Sequence, residues 1–295
     1  MYVDNNWYSH RSILAEYCEV EDKPILGSIQ HGIHVADFHK NLGKHKLPFS
    51  KHFCWSRQVY QNALKNNIKN VVPIGAPFLY LDEISNIKTD NKGTLVFPAH
   101  SNPEDSSQFK HEIFIKIVME SYPGPYTACL FFLDFDNNTR DIYKKYDWGT
   151  VTAGVRSDQN FLKNLYGFIK KHEYCISTEL GTSLYYTMYL NKKSSYKYKY
   201  RLNNKDYYFS RGPNELTFKD QFLEYKKENN FLLKNIIDQD RGKKLADIEL
   251  GKEFIKSKNE LKSILGFDNK IKSNLANFFS KLIDLKYKKL RSWEK

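Results

Sequence analysis

His52-Phe53-Cys54-Trp55-Ser56, the run from Arg57 to Asn66, and Asn70-Val71-Val72-Pro73-Ile74 closed by Gly75-Ala76-Pro77 decide the fold. The two apolar runs are short, hold β-branched and aromatic residues, and end in turn residues, so they read as strands. The stretch between them reads as a helix. Strand, helix and strand within about 25 residues make a βαβ unit.

The same alternation extends both ways. Upstream, a helical stretch from Arg11 to Tyr17 leads through Pro24 into the apolar run Ile25-Leu26-Gly27-Ser28-Ile29, a strand ending at Gln30-His31-Gly32. Downstream, residues 82–93 are polar and rich in turn formers, which predicts a linker. Strands are then predicted at 93–99, 126–133, 149–155, 174–177 and 195–200, and helices at 107–121, 139–146, 161–171 and 181–190. Repeated βα units with short loops predict an α/β fold of parallel sheets, whose ligands bind at the carboxyl ends of the strands. The expected organisation is an N-terminal Rossmann-like lobe over 1–85, a second over 93–202, and a basic helical extension over 203–295.

Composition narrows the class. The chain has 295 residues, 41% of them hydrophobic and 15% aromatic, with 14 Gly and 9 Pro, which excludes collagenous and disordered classes. The apolar run Cys129-Leu130-Phe131-Phe132-Leu133 is far shorter than the ~18 residues of a membrane helix. The start, Met-Tyr-Val-Asp-Asn-Asn-Trp, has neither a basic nor an apolar signal region, so a cytoplasmic protein is expected. Cys18, Cys54, Cys129 and Cys175 are widely spaced, which predicts buried free thiols in a reducing compartment. Lys plus Arg exceed Asp plus Glu by 46 − 34 = 12. Such a balance suits an acidic partner, and also the Lys- and Asn-rich usage of an AT-rich genome. The basic residues match no helix-turn-helix, RRM or zinc pattern, so nucleic acid is not the expected partner.

Several strand ends carry candidate chemistry. Ser177-Thr178-Glu179-Leu180-Gly181-Thr182-Ser183 leaves a strand and opens a helix, whose unpaired N–H groups suit a phosphate. Gly181 would admit the phosphate, Thr182 and Ser183 would add hydroxyls, and Glu179 would accept from sugar or ribose hydroxyls. A plain helix cap explains the same residues. His100-Ser101 is predicted on the same rim, where the imidazole would donate to phosphate; the competing reading is a turn beside Asn102-Pro103. Arg156 ends another strand and would pair with a phosphate or carboxylate, unless it only opens a helix capped by Ser157 and Asp158. His31 is the candidate general base on the other lobe. A metal at His31, His34 and His39 lacks any zinc-ligand pattern. Asp134-Phe135-Asp136 has the spacing of a metal-binding carboxylate pair, but a solvated strand end followed by Asn137-Asn138 explains it as well. No metal is therefore expected.

Gly27-Ser28-Ile29-Gln30-His31-Gly32, Trp55-Ser56 with its helix and Val72-Pro73-Ile74-Gly75-Ala76-Pro77-Phe78-Leu79-Tyr80 begin a wider pattern. It continues through Val151-Thr152-Ala153-Gly154, Phe161-Leu162, Leu180 to Tyr186, Glu249-Leu250-Gly251, Glu260-Leu261 and Leu265-Gly266. This pattern, over about residues 1–266, resembles bacterial surface-polysaccharide glycosyltransferases of the GT-B type. The resemblance implies two Rossmann-like lobes, the first abbreviated here. It implies a nucleotide-sugar donor on the second lobe, where the strand-end residues His100, Ser101, Arg156, Ser177, Glu179, Gly181, Thr182 and Ser183 are the candidate contacts. It implies a lipid-linked glycan acceptor facing His31, with no cofactor and no metal, in capsule or lipopolysaccharide synthesis. Related families that use CMP-linked acidic sugars carry a His-Pro pair and a Ser-Ser/Thr pair; here Ser101 follows His100, while Ser177-Thr178 fits the second pair. A transferase of such sugars, or a non-catalytic scaffold, is the alternative.

The last 25 residues carry Lys272, Lys281, Lys286, Lys288, Lys289, Arg291 and Lys295 against Asp284 and Glu294, a net of 7 − 2 = +5. Ile271, Leu275, Phe278, Phe279, Leu282, Ile283, Leu290 and Trp293 recur near helical spacing. The pattern fits a peripheral contact with an anionic membrane, or a helix packed back across the lobes.

Overall fold

The computed structural model describes residues 6–33, 51–88, 90–99, 109–197, 225 and 227–287. His34, His39, His45, His100 and Ser101 lie outside the described residues, as do 198–224 and 288–295 of the predicted extension.

Two parallel sheets carry the fold. In the first, β1 (Gly27–Ile29), β2 (Lys51–Cys54) and β3 (Val71–Pro73) lie in the order β1-β2-β3, with Ile29 beside Phe53 and Cys54 beside Pro73. Helix α1 (His10–Tyr17) precedes this sheet, α2 (Arg57–Lys65) links β2 to β3, and α3 (Pro77–Ile84) follows. Ser56 turns β2 into α2 by accepting from the Val59 N–H. Pro77 opens α3, where its missing N–H costs nothing. The predicted linker therefore begins inside α3.

The second sheet holds β4 (Thr94–Phe97), β5 (Tyr126–Cys129), β6 (Gly149–Val151), β7 (Tyr174–Ser177) and β8 (Lys193–Tyr196) in the order β6-β5-β4-β7-β8. All pairs are parallel. Within this lobe that order is 3-2-1-4-5, the doubly wound arrangement. The sheet alternates as a strand covered on both sides must. Leu95, Phe97, Cys129 and Cys175 face one core and Val96, Ala128 and Ile176 the other. Helices α4 (His111–Ser121) and α5 (Asn137–Lys144) supply Phe114, Ile115, Val118 and Tyr143 to the second face, whereas α6 (Phe161–Lys171) and α7 (Thr182–Tyr189) supply Leu165, Tyr166, Leu184 and Tyr185 to the first. This is the α/β architecture of two Rossmann-like lobes that the sequence predicts.

The first core runs on into the N-terminal lobe. Phe78 stacks on Tyr186 with centroids 3.8 Å apart, and Asp82 accepts from the hydroxyls of Tyr166 (2.6 Å) and Tyr189 (3.2 Å). All four cysteines are buried and free. Among the described residues no helix is long and apolar enough to cross a membrane.

The extension supplies α8 (Gln239–Glu249), α9 (Lys258–Leu265) and α10 (Lys270–Tyr287). α8 packs on α7 of the second lobe, and the chain then crosses to the first, where the Ala76 N–H donates to the Leu250 carbonyl (2.8 Å). At the end of α8, Glu249 is buried beside Tyr225, whose hydroxyl donates to it (3.4 Å) and bonds Tyr185 (2.6 Å). Burial raises Glu249 from 4.5 to about 7, with the Tyr225 bond working the other way. The folded chain thus favours the protonated acid. That contribution is complete below about 4.5 and lost as pH rises through about 7. Glu249→Gln should be up to about 3 kcal/mol more stable than the native chain at about pH 8 and no more stable at about pH 4. Urea unfolding at both values checks this; an equal difference at the two would refute the burial argument.

Candidate functional site

In a sheet ordered 3-2-1-4-5 the connections diverge between the first and fourth strands, here β4 and β7, and the crevice lies beyond their carboxyl ends. The loop leaving β7 is tied to β4. The Thr178 N–H and hydroxyl both donate to the Phe97 carbonyl (3.2 and 3.4 Å). Ser177 donates its hydroxyl hydrogen to the Glu179 carbonyl (2.8 Å) and accepts from the Glu179 N–H (3.2 Å). Ser177 therefore shapes this loop, and Glu179 stands half-buried on it.

Gly181 precedes α7 with φ −98° and ψ 172°, and no side chain caps the helix start. A Cβ placed on Gly181 would meet nothing within 4 Å. Neither the backbone conformation nor the packing calls for glycine here; the residue leaves an open cradle before the positive end of a helix. Thr182 and Ser183 form its first turn, both half-buried.

The other wall comes from the first lobe. The Ile33 N–H donates to Thr182 Oγ1 (2.9 Å), and a Cβ on Gly32 would lie 3.1 Å from that oxygen. A hydroxyl that accepts one bond still has a hydrogen to donate. The loop carrying His31 is fixed by buried Gln30, which accepts from the Trp55 N–H (2.9 Å) and donates to the Gly32 carbonyl (2.8 Å).

His31 is solvent-exposed, edge-on to Trp7 (5.7 Å) and stacked on Tyr8 (6.5 Å). The protein massed around it disfavours the imidazolium, and the charge of Arg156 adds to this, so its pKa is lowered. Buried His10 lies behind, edge-on to Trp55 (5.6 Å). Burial first, then the neighbouring His31, hold it down to about 3, against a bond to the Gln30 carbonyl. Arg156 places its guanidinium over Trp7 (5.7 Å) and Phe131 (5.5 Å), and its carbonyl accepts from the Tyr8 N–H (2.6 Å).

The turn Trp7–Ser9 is what joins these residues. Tyr8 and Ser9 both adopt left-handed backbone, φ 58° and 60°, unusual for two successive non-glycine residues. The Ser9 hydroxyl accepts from the Leu162 N–H at the start of α6 (3.0 Å), and Tyr8 packs edge-on against Phe161 (4.8 Å). Sequence reading missed this turn. The one available signal is an aromatic and polar run, Trp7-Tyr8-Ser9-His10, ahead of a helix; its partners lie in the other lobe.

The loop of His31 is thus brought against Thr182, next to Gly181, and Arg156 lies near His31, with Ser177, Glu179 and Ser183 on the β7–α7 segment. Asp136 of the carboxylate pair takes another role. Asp136 caps α5, accepting from the Thr139 N–H (2.8 Å) and hydroxyl (3.2 Å), and these bonds lower its pKa. Among the described residues no group of three or more His, Cys, Asp or Glu could hold a metal ion.

No family model and no curated protein matches the chain by sequence. Among solved structures it is similar to the wall teichoic acid polymerase TagF, at 12% identity and a TM-score of 0.36, over 90% of this chain and 69% of that one. It is also similar to a putative UDP-N-acetylglucosamine 2-epimerase from Listeria monocytogenes, at 9% identity and a TM-score of 0.43, over 84% and 67%. A third is S. aureus MnaA solved with UDP, at 14% identity and a TM-score of 0.42, over 89% and 70%.

Proposed function

We propose that this chain is a glycosyltransferase that takes a sugar from a nucleotide-activated donor and passes it to a lipid-linked glycan of the cell surface. The open cradle before Gly181, at the divergence point of the second sheet and facing His31 across Thr182, carries the reading. The donor phosphates lie against the α7 N–H groups, with Thr182 and Ser183 adding hydroxyls and Glu179 taking the ribose or sugar hydroxyls. Arg156 completes the donor side. His31, neutral because its pKa is lowered, removes the proton of the acceptor hydroxyl. The freed oxygen bonds to the anomeric carbon as the sugar–phosphate bond breaks, and the helix start takes up the charge on the departing phosphate. No metal is needed for that charge in this scheme. The reaction is placed in the cytoplasm, at the inner face of the membrane that holds the acceptor, in capsule or lipopolysaccharide synthesis.

Gly181→Leu tests the cradle. Its backbone angles suit any residue and no atom lies within 4 Å of a Cβ there, so the fold should persist. The native chain should be thermally stabilised by one of the UDP-, GDP-, CMP- or dTDP-sugars, and the variant by none. Stabilisation by CMP-sugars alone would select the acidic-sugar transferase. Equal stabilisation of both proteins, or of neither, would defeat the proposal.

A further inference from the structure

Helix α10 turns an apolar stripe outward. Ile271 is 73% exposed, Phe278 57% and Leu275 42%, whereas Ala276 is 4% exposed. At 3.6 residues per turn Ile271, Leu275 and Phe278 share one line along the helix. Ser273, Ala276 and Asn277 fall on the opposite side and, with Phe279 at its edge, are the less exposed of residues 270–279. The start of the helix is fixed by Asn269, whose side chain accepts from the Lys272 N–H (3.0 Å) and whose carbonyl accepts from the Ser273 N–H (2.9 Å). The side centred on Ala276 is thus the covered one, and the stripe faces outward.

Charge decides what fits this face. Lys270 and Lys281 flank the stripe on one side and Lys272 on the other, all three exposed, and no acidic residue occurs from Lys270 to Lys281. Lys51, whose ammonium donates to the Ile264 carbonyl (3.1 Å), lies close enough for the Lys272 charge to add to burial in lowering its pKa. Lys51 begins β2, whereas His31 leaves the opposite end of the parallel pair β1–β2, so this basic region lies at the end of the sheet away from the cleft. A second copy of the chain seated on the stripe through its own α10 would set lysines against lysines.

We propose that this face of α10 is the surface by which the protein rests on an anionic lipid membrane. Ile271, Leu275 and Phe278 enter the boundary between headgroups and acyl chains, while the lysines reach out to lipid phosphates. This gives the membrane association inferred above a named surface, and it does not require that the chain transfer sugars.

Co-sedimentation of the full chain with phosphatidylcholine vesicles, with and without phosphatidylglycerol, tests it at low and high salt. Binding should need the anionic lipid and weaken with salt. Leu275→Asp with Phe278→Asp should lower vesicle affinity at least about tenfold, as should Lys270→Glu with Lys281→Glu. Equal binding to neutral vesicles, binding unchanged in either double variant, or a dimer dispersed by Phe278→Asp without vesicle binding would overturn the proposal. If a variant fails to fold, the lipid and salt dependence of the native chain still decides. Nucleotide-sugar stabilisation should survive in both variants; its absence alongside intact vesicle binding would count against the transfer reaction alone.

Discussion

His31→Ala is expected to lower kcat/KM for sugar transfer about 10²- to 10⁴-fold, the usual contribution of a positioned general base. Thermal stabilisation by the donor should be retained, because the cradle before Gly181 and the Ile33–Thr182 bond do not depend on the imidazole. A merely structural His31 would act differently: its loss would lower the unfolding temperature and weaken donor binding with the rate. The pH profile separates the two further. A base is active when unprotonated, and protein mass and Arg156 both lower the pKa of His31 below the ordinary 6.5. Activity should accordingly fall on the acid side, with its midpoint below that value, and Arg156→Gln should move the midpoint upward. A rate unchanged in His31→Ala would remove His31 from the chemistry. A midpoint that ignores the Arg156 charge would remove Arg156 as a cause of the lowered pKa.

The readable parts of this protein are those set by neighbours in sequence. Short apolar runs bounded by turn residues marked β2, β3 and β7, and the spacing of Phe161, Leu165, Phe168 and Ile169 marked α6 within its observed bounds. Glycine and hydroxyl residues after β7 marked the turn into α7, because the start of a helix is set by local residues. What crosses between lobes was not readable. Nothing in Thr182 says that its oxygen receives the Ile33 N–H, and nothing in Ser9 says that it receives the Leu162 N–H. Those bonds depend on how two sheets meet, which no period of 2 or 3.6 encodes. Ser177 shows the same limit: its type suits a phosphate, but its hydroxyl hydrogen goes to the Glu179 carbonyl, a choice fixed by loop geometry. Asp136 likewise shares its spacing with metal-binding pairs and serves as a helix cap.

Gly251→Ala should destabilise the protein by about 2–5 kcal/mol, for a reason that also ties the extension to the site. Gly251 follows α8 with φ +71°, a conformation that disfavours a side chain, and a Cβ there would run into the Trp55 carbonyl. Gly75, at φ +72°, approaches from the other side: a Cβ on it would lie 2.9 Å from the Gly251 carbonyl. Three backbone segments thus meet with no room between them, and two of them, at Trp55 and Gly75, are strand exits of the first lobe. Neighbouring contacts depend on this fit. Tyr80 donates its hydroxyl to the Ile74 carbonyl (2.6 Å) and accepts from the Lys256 N–H (3.0 Å), Tyr17 donates to the Lys256 carbonyl (3.1 Å), and Arg57 pairs with Glu253. Backbone cannot yield as a flexible side chain can, so relief of the clash must move the segment after α8. That movement reaches the cradle, since α8 packs on α7. The unfolding temperature should fall by roughly 5–15 °C, and the variant should lose donor stabilisation even when assayed well below its transition. Gly181→Ala is the matched control, a glycine with open space and ordinary backbone angles, and should leave the unfolding temperature almost unchanged. Equal effects of the two substitutions would mean that residues 250–256 do not seat against the first lobe as described, and would separate the extension from the function of the cleft.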